Sequence, residues 1–140
     1  MKYLGLDLGS KTLGLALSDK LGLIASPYKT INYKDKVELI EELKTIIESE
    51  SITKLILGFP KNMNNTIGPR AEDILKFKEL LEDNLSLEII LVDERLSTKE
   101  ANNYLLEGNM RRTKRKKKID AIAASIILET YLRSENNGRK

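Results

Sequence analysis

Three acidic positions stand where their neighbours argue against acid. Asp7 interrupts the stretch Leu4-Gly5-Leu6-Asp7-Leu8, which otherwise alternates like a strand, and aspartate is disfavoured in strands. Asp93-Glu94 follows directly on Ile89-Ile90-Leu91-Val92, and the carboxyl end of such a strand is where open α/β sheets place ligands. Asp120 sits between Ile119 and Ala121-Ile122-Ala123, in the first turn of an apolar helical pattern. Each has an ordinary structural explanation: a turn contact for Asp7, a helix cap for Asp93-Glu94, a favourable dipole interaction for Asp120. Jointly they point elsewhere. Two carboxylates about 4 Å apart repel by roughly 4 kcal/mol at an effective dielectric of about 20, and a divalent cation turns that repulsion into a binding site. Acids gathered on such an ion can activate water for phosphodiester hydrolysis. Alternation alone does not choose between Asp93 and Glu94, because a shift of one residue exchanges the two faces of a strand.

Composition narrows the chemistry further. The 140 residues include no cysteine and no histidine, which excludes disulfides, thiolate or imidazole zinc sites, cysteine nucleophiles and a Ser–His–Asp triad. A metal, if used, is a hard ion in an oxygen cage, magnesium or manganese before zinc. The net charge of +3 hides an uneven distribution. Arg111, Arg112, Lys114, Arg115, Lys116, Lys117 and Lys118 place seven cations in eight positions, and without them the total becomes −4. One basic patch on a mildly acidic body suits local grip on a polyanion, and its end at Lys118 delivers that polyanion to Asp120. Such contacts hold a nucleic-acid backbone without reading sequence. Aromatic residues make up only 5% of the chain, which argues against a platform for stacking bases. The N-terminus lacks the layout of a signal peptide and no apolar run reaches the length of a membrane span, so a cytoplasmic protein is expected.

The elements that must position these residues follow from periodicity. Alternation predicts strands over 3–8, 13–18 and 23–31, the first two joined by the Gly9-Ser10-Lys11 turn. From Asp35, Val37, Ile40, Leu43 and Ile47 share a helical face. A strand over 54–59 precedes an amide-rich loop, and Pro69 opens a helix that buries Ile74, Phe77, Leu80 and Leu81. Arg70 lies in that helix's first turn, where a cation is unfavourable, which favours a bound anion there. A buried strand over 87–92 is followed by a short helix capped by Ser97 and Glu100 and then by the basic run. The last helix is predicted over 118–132, with Ala121, Ala123 and Ala124 permitting close approach to the sheet. The pattern is that of one α/β domain: a mixed five-stranded sheet, an antiparallel meander followed by parallel strands, flanked by helices, with 134–140 as a polar tail.

These residues resemble the YqgF family, also called the pre-16S ribosomal RNA nuclease or Holliday junction resolvase-like family. The matching stretches are Gly5-Leu6-Asp7-Leu8-Gly9-Ser10-Lys11 with Ser18-Asp19, Gly58-Phe59-Pro60-Lys61-Asn62-Met63, Gly68-Pro69-Arg70-Ala71-Glu72, Val92-Asp93-Glu94-Arg95-Leu96-Ser97-Thr98 and Lys116-Lys117-Lys118-Ile119-Asp120. Asn65 replaces a glycine of that pattern and Ala121 a lysine. The resemblance implies an RNase H-like fold and a nuclease processing the 5′ end of the 16S rRNA precursor, with a four-way DNA junction as the alternative substrate. It implies Asp7, Glu94 and Asp120 as catalytic residues and ligands of magnesium or manganese. Lys11 and Arg70 join the basic run as nucleic-acid contacts, in a monomer or homodimer. Two other classes compete: a nucleotide-binding module, since Asp7-Leu8-Gly9-Ser10 also looks like the phosphate loop of the actin and sugar-kinase superfamily, and a non-catalytic RNA-binding or assembly factor.

Overall fold

A computed structural model of the chain describes residues 2–9, 11–59, 69–93 and 112–137, with 69–70, 93, 112–120 and 136–137 described as backbone only. Strand β1 (Lys2–Leu8) pairs antiparallel with β2 (Thr12–Ser18), Leu4 opposite Leu17 and Asp7 opposite Gly14. Strand β3 (Ala25–Asn32) continues the meander on β2. Helix α1 (Lys36–Glu50) leads to β4 (Ile52–Phe59), which lies parallel to β1 with Leu6 beside Leu57. Helix α2 (Pro69–Asn84) leads to β5 (Glu88–Asp93), parallel to β4 with Phe59 beside Asp93. Helix α3 spans Arg112–Asn137. The sheet order is β3-β2-β1-β4-β5, so β1 is central.

The alternation in β1 does not separate core from water. Leu4, Leu6 and Leu8 pack with Leu39 and Leu43 of α1 and with Ile74, Phe77 and Leu81 of α2. On the other face Tyr3 of β1, Ala16 of β2 and Ile56 of β4 pack with Ala124, Ile127, Leu128 and Tyr131 of α3. Both faces are covered, so the small residues of β1 mark the face where α3 comes close.

Four expectations are corrected, and the first is that residues 134–137, expected in the polar tail, belong to α3. Strand β3 starts at Ala25, not 23, because Asp19 organises a tight turn before it: its carboxylate accepts the N–H groups of Leu23 (2.7 Å) and Ile24 (3.0 Å), and Gly22 takes φ 70°. Those hydrogen bonds hold the Asp19 carboxyl below its ordinary value, and they leave Leu21, Leu23 and Ile24 exposed at the tip. Val37 is 63% exposed, and Leu39 and Ile46 join Ile40 and Leu43 as the buried face of α1. The reason is that Asp35 caps the helix by accepting the Val37 N–H (2.9 Å), which fixes Val37 in the first turn, off the core stripe. Helix α3 begins at Arg112, so residues 112–118 are helical and not a loop. Lys and Arg are good helix formers but carry no apolar period to announce it. Asp120 therefore stands two turns inside the helix instead of in its first turn. The helix expected after Ser97 lies outside the described residues.

The start of the sheet is fastened to α3 by a lysine between two tyrosines. Lys54 Nζ lies 5.4 Å from the ring centroid of Tyr3 and 5.5 Å from that of Tyr131, and donates to the Tyr131 hydroxyl at 3.0 Å. Tyr131 in turn donates to Glu135. The bond to Tyr131 holds the Lys54 ammonium above its ordinary 10.5, against the effect of burial, while burial and then Glu135 lift the Tyr131 hydroxyl above 10.0. Both groups keep their protons longer in the folded chain, so their contribution is complete below pH 10 and fades as pH rises through the raised values. Tyr131→Phe is expected to cost ~1 kcal/mol at neutral pH and to flatten the alkaline decline, read from denaturant midpoints between neutral and strongly alkaline pH.

Candidate functional site

Asp7 is the penultimate residue of the central strand and only 6% exposed. The residue takes part in other interactions, while its Oδ1 is fully buried and accepts no hydrogen bond from a described group. Its neighbours explain how a carboxylate fits there. Gly14 faces it across β2, and one further step of the β1–β4 register brings it level with Gly58; both glycines are buried. The absence of side chains on both flanks leaves room beside the carboxylate on the α3 face.

Two contacts set how α3 crosses that face. Tyr3 meets Tyr131 edge-on, ring centroids 5.9 Å apart. Two residues along β1, a Cβ on Gly5 would lie 2.8 Å from the Ala124 carbonyl oxygen and 2.9 Å from Leu128 Cβ. The helix thus runs back along β1, its residue numbers falling as those of β1 rise. From Gly5 to Asp7 the strand advances ~6.6 Å, and from Ala124 back to Asp120, one turn on the same face, the helix retreats ~6 Å. The backbone of Asp120 is therefore level with Asp7. Ala121, Ala123 and Ala124 are buried in this approach, as their small size predicted.

The remaining expected residues are placed less completely. Glu94, like Arg111, lies outside the described residues; Asp93 ends β5 beside Phe59. Arg112, Lys114, Arg115, Lys116, Lys117 and Lys118 occupy the first two turns of α3, and Arg70 is the second residue of α2. Lys11 is exposed in the β1–β2 turn. Among the described residues no three acids stand close enough to hold a metal, and no helix is long and apolar enough to cross a membrane.

One residue of this region has no signal in the sequence. Tyr33, just past β3, donates its hydroxyl to the Gly9 carbonyl (2.6 Å) and its backbone N–H to the Lys11 carbonyl (3.0 Å). Gly9 also donates to the Thr12 carbonyl (2.7 Å). The turn following Asp7 is thereby tied down from both sides. Burial, with the Asp73 charge second, lifts the Tyr33 hydroxyl above 10.0, so it remains a donor at neutral pH. The contact spans 24 residues, beyond the reach of any local pattern.

Residues 1–134 match the family described as RuvX: Holliday junction resolvase. The chain belongs to the RuvX family. This RuvX chain is 46% identical over 138 residues to a protein of Caldanaerobacter subterraneus subsp. tengcongensis named as a candidate pre-16S rRNA nuclease, covering 98% of the chain and 99% of the relative. The YqgF resemblance therefore stands. Among solved structures, Thermus thermophilus RuvC superposes with a TM-score of 0.58 at 12% identity, over 98% of this chain and 97% of that one. The fowlpox virus resolvase, in complex with substrate Holliday junction DNA, gives 0.57 at 16% identity, over 96% and 99%. These two likenesses establish the RNase H-like fold of the RuvX chain.

Proposed function

We propose that this chain is a divalent-metal-dependent nuclease of the cytoplasm that hydrolyses phosphodiester bonds near the 5′ end of the 16S ribosomal RNA precursor, acting as a single RNase H-like domain. The observation that carries the reading is the coincidence of level between buried Asp7 and the Asp120 turn of α3. A carboxylate flanked by two glycines, with a second acid on the crossing helix, fits an ion of magnesium or manganese type, because every donor is a hard oxygen. Asp7, Glu94 and Asp120 would hold that ion. Parity supports Glu94 over Asp93: Ile90 and Val92 pack on the α3 side while Leu91 packs on the other, and position 94 continues the first set. When bound, the metal supplies Lewis-acid stabilisation of charge developing on the phosphate.

The chain's own residues bind and aim the substrate. Six cations in the opening turns of α3 oppose the positive end of the helix dipole, a conflict that a phosphate backbone relieves. Lys11 and Arg70 extend that grip, and Glu94 orients the attacking water. Replacing Lys116, Lys117 and Lys118 by Gln is expected to lower the slope of log Kd against log salt by about 2–3, at ~0.7–0.9 for each phosphate no longer neutralised, as measured by titration of labelled RNA. The family description favours a second reading, resolution of four-way DNA junctions. Incubating the chain with labelled precursor RNA and with a synthetic junction, each with and without magnesium, decides the matter: metal-dependent cleavage of RNA alone supports the first reading, of the junction alone the second, and cleavage of neither removes both.

A further inference from the structure

Beside the β1–β2 turn, on the sheet face opposite α3, a cleft of about 560 Å³ opens where β1 ends. It is lined by Gly9 and Tyr33, the pair joined by the hydroxyl–carbonyl bond, by Lys34 and Lys36, and by Asp35 and Asp73. Both lysines carry charges that the fold does not use. Among the described residues Lys2, Lys44, Lys54, Lys78 and Arg133 each pair with a glutamate, whereas neither Lys34 nor Lys36 forms an ion pair. Two carboxylates share the cleft and keep their charge, so the lysines act there as individual charges and not as a net positive field. Asp35 accepts the Val37 N–H as the cap of α1, and the Asp73 charge acts on the Tyr33 hydroxyl. The volume is in the range of ligand sites, ~300–1,000 Å³, and lysine ammonium groups are point charges suited to phosphate.

The position of the cleft says which phosphate. Gly9 follows Asp7 by two residues, ~6.6 Å along an extended chain, and both lie at the same end of the sheet. A nucleic-acid strand that crosses this end with one phosphate at Asp7 would reach the cleft by continuing over the turn. We infer that the cleft between the β1–β2 turn and the start of α1 is a second backbone-phosphate site, in which Lys34 and Lys36 hold the substrate strand beyond the scissile bond. The inference rests on the nuclease reading for its substrate class but not for its test. Tyr33 ties the lining of the cleft to the β1–β2 turn, and a strand held by the cations of α3 on one side and by the cleft on the other would be gripped on both sides of Asp7.

The test uses binding, with the full chain carrying Asp7→Asn so that substrate is not consumed. A labelled precursor RNA fragment and a synthetic four-way junction are titrated at several salt concentrations. In that background Lys34→Gln with Lys36→Gln is expected to weaken binding ~10-fold near 100 mM salt and to lower the salt slope by ~1.4–1.8, the share of two phosphates. A control pair, Lys44→Gln with Lys78→Gln, removes the same charge from the outer surfaces of α1 and α2 and is expected to leave the slope unchanged. An unaltered slope in the cleft variant, or an equal loss in the control, overturns the inference, the second because net charge alone would then explain it. Thermal melting of both pairs checks that the fold is kept. Loss of the nuclease reading reads differently: an unmutated chain that cleaves neither substrate while the cleft variant still loses slope sinks the chemistry and leaves the site standing.

Discussion

Asp7→Asn is expected to abolish cleavage, lowering kcat by ~10³-fold or more, the scale on which single preorganised electrostatic groups act, while nucleic-acid affinity stays within a few-fold of the parent. The amide has the shape of the carboxylate and fits between Gly14 and Gly58 as before, so the fold has no reason to change. What is lost is the negative charge at the carboxyl end of the central strand. The cations of α3 are untouched, so the substrate still binds. A second readout is independent of turnover. A ligand that binds only the folded chain stabilises it, by about 2.7 kcal/mol at 100 times its Kd, so manganese is expected to raise the melting temperature of the parent and to leave that of the variant where it was. Burial of an ionised carboxylate is costly, and the metal-free variant is expected to melt at the parent's temperature or slightly above. Cleavage that survives the substitution, with the metal-dependent shift intact, removes Asp7 from the mechanism.

How far the sequence shows this arrangement depends on the range of each signal. The strands were legible because side-chain alternation is written in consecutive residues, and Asp7 was legible as the one charge in such a run. Ala121, Ala123 and Ala124 were legible as small residues that let the last helix approach the sheet, and all three are buried there, whereas Gly5 gave no sign that it is the strand residue Ala124 meets. Three features were not legible in the same way. Six of the seven residues from 112 to 118 are cations, so no apolar period marks the first turns of α3 as helix. Leu23 and Ile24 look like strand residues, but a carboxylate four and five positions earlier draws their N–H groups into a turn. Tyr33 and Lys54 act across 24 and 77 residues of chain, and such contacts exist only once the sheet has formed. The choice between Asp93 and Glu94 lies between these cases: alternation leaves it open, and the packing of Ile90, Leu91 and Val92 is what supports the proposed Glu94.

Gly5→Ala is expected to destabilise the chain by ~2–3 kcal/mol, at the upper end for overpacked cores, although alanine is ordinarily the better strand residue. The balance is decided by what the new methyl meets. Exchanging glycine for alanine where the backbone allows it gains ~0.4–1 kcal/mol through the unfolded chain. Here the methyl would lie 2.8 Å from a backbone oxygen, Ala124 O, and 2.9 Å from Leu128 Cβ. Neither atom is the end of a flexible side chain, so α3 itself must move away from β1. The melting temperature is expected to fall by several degrees, at roughly 3–4 °C per kcal/mol for a domain of this size. Leu128→Ala leaves the Cβ in place and cannot restore the approach, so the double variant is expected to be less stable than either single one. The functional consequence follows from the register of helix on strand. Gly5 is two residues from Asp7 and Ala124 one turn from Asp120, so a helix lifted at Gly5 separates the two acids, and cleavage falls well below the temperature at which the variant unfolds. Gly5→Val enlarges both effects. A Gly5→Ala chain that melts with the parent and cleaves at its rate would show that α3 does not rest on β1 at this point, and with that the proposed convergence of Asp7 and Asp120 would lose its geometric basis.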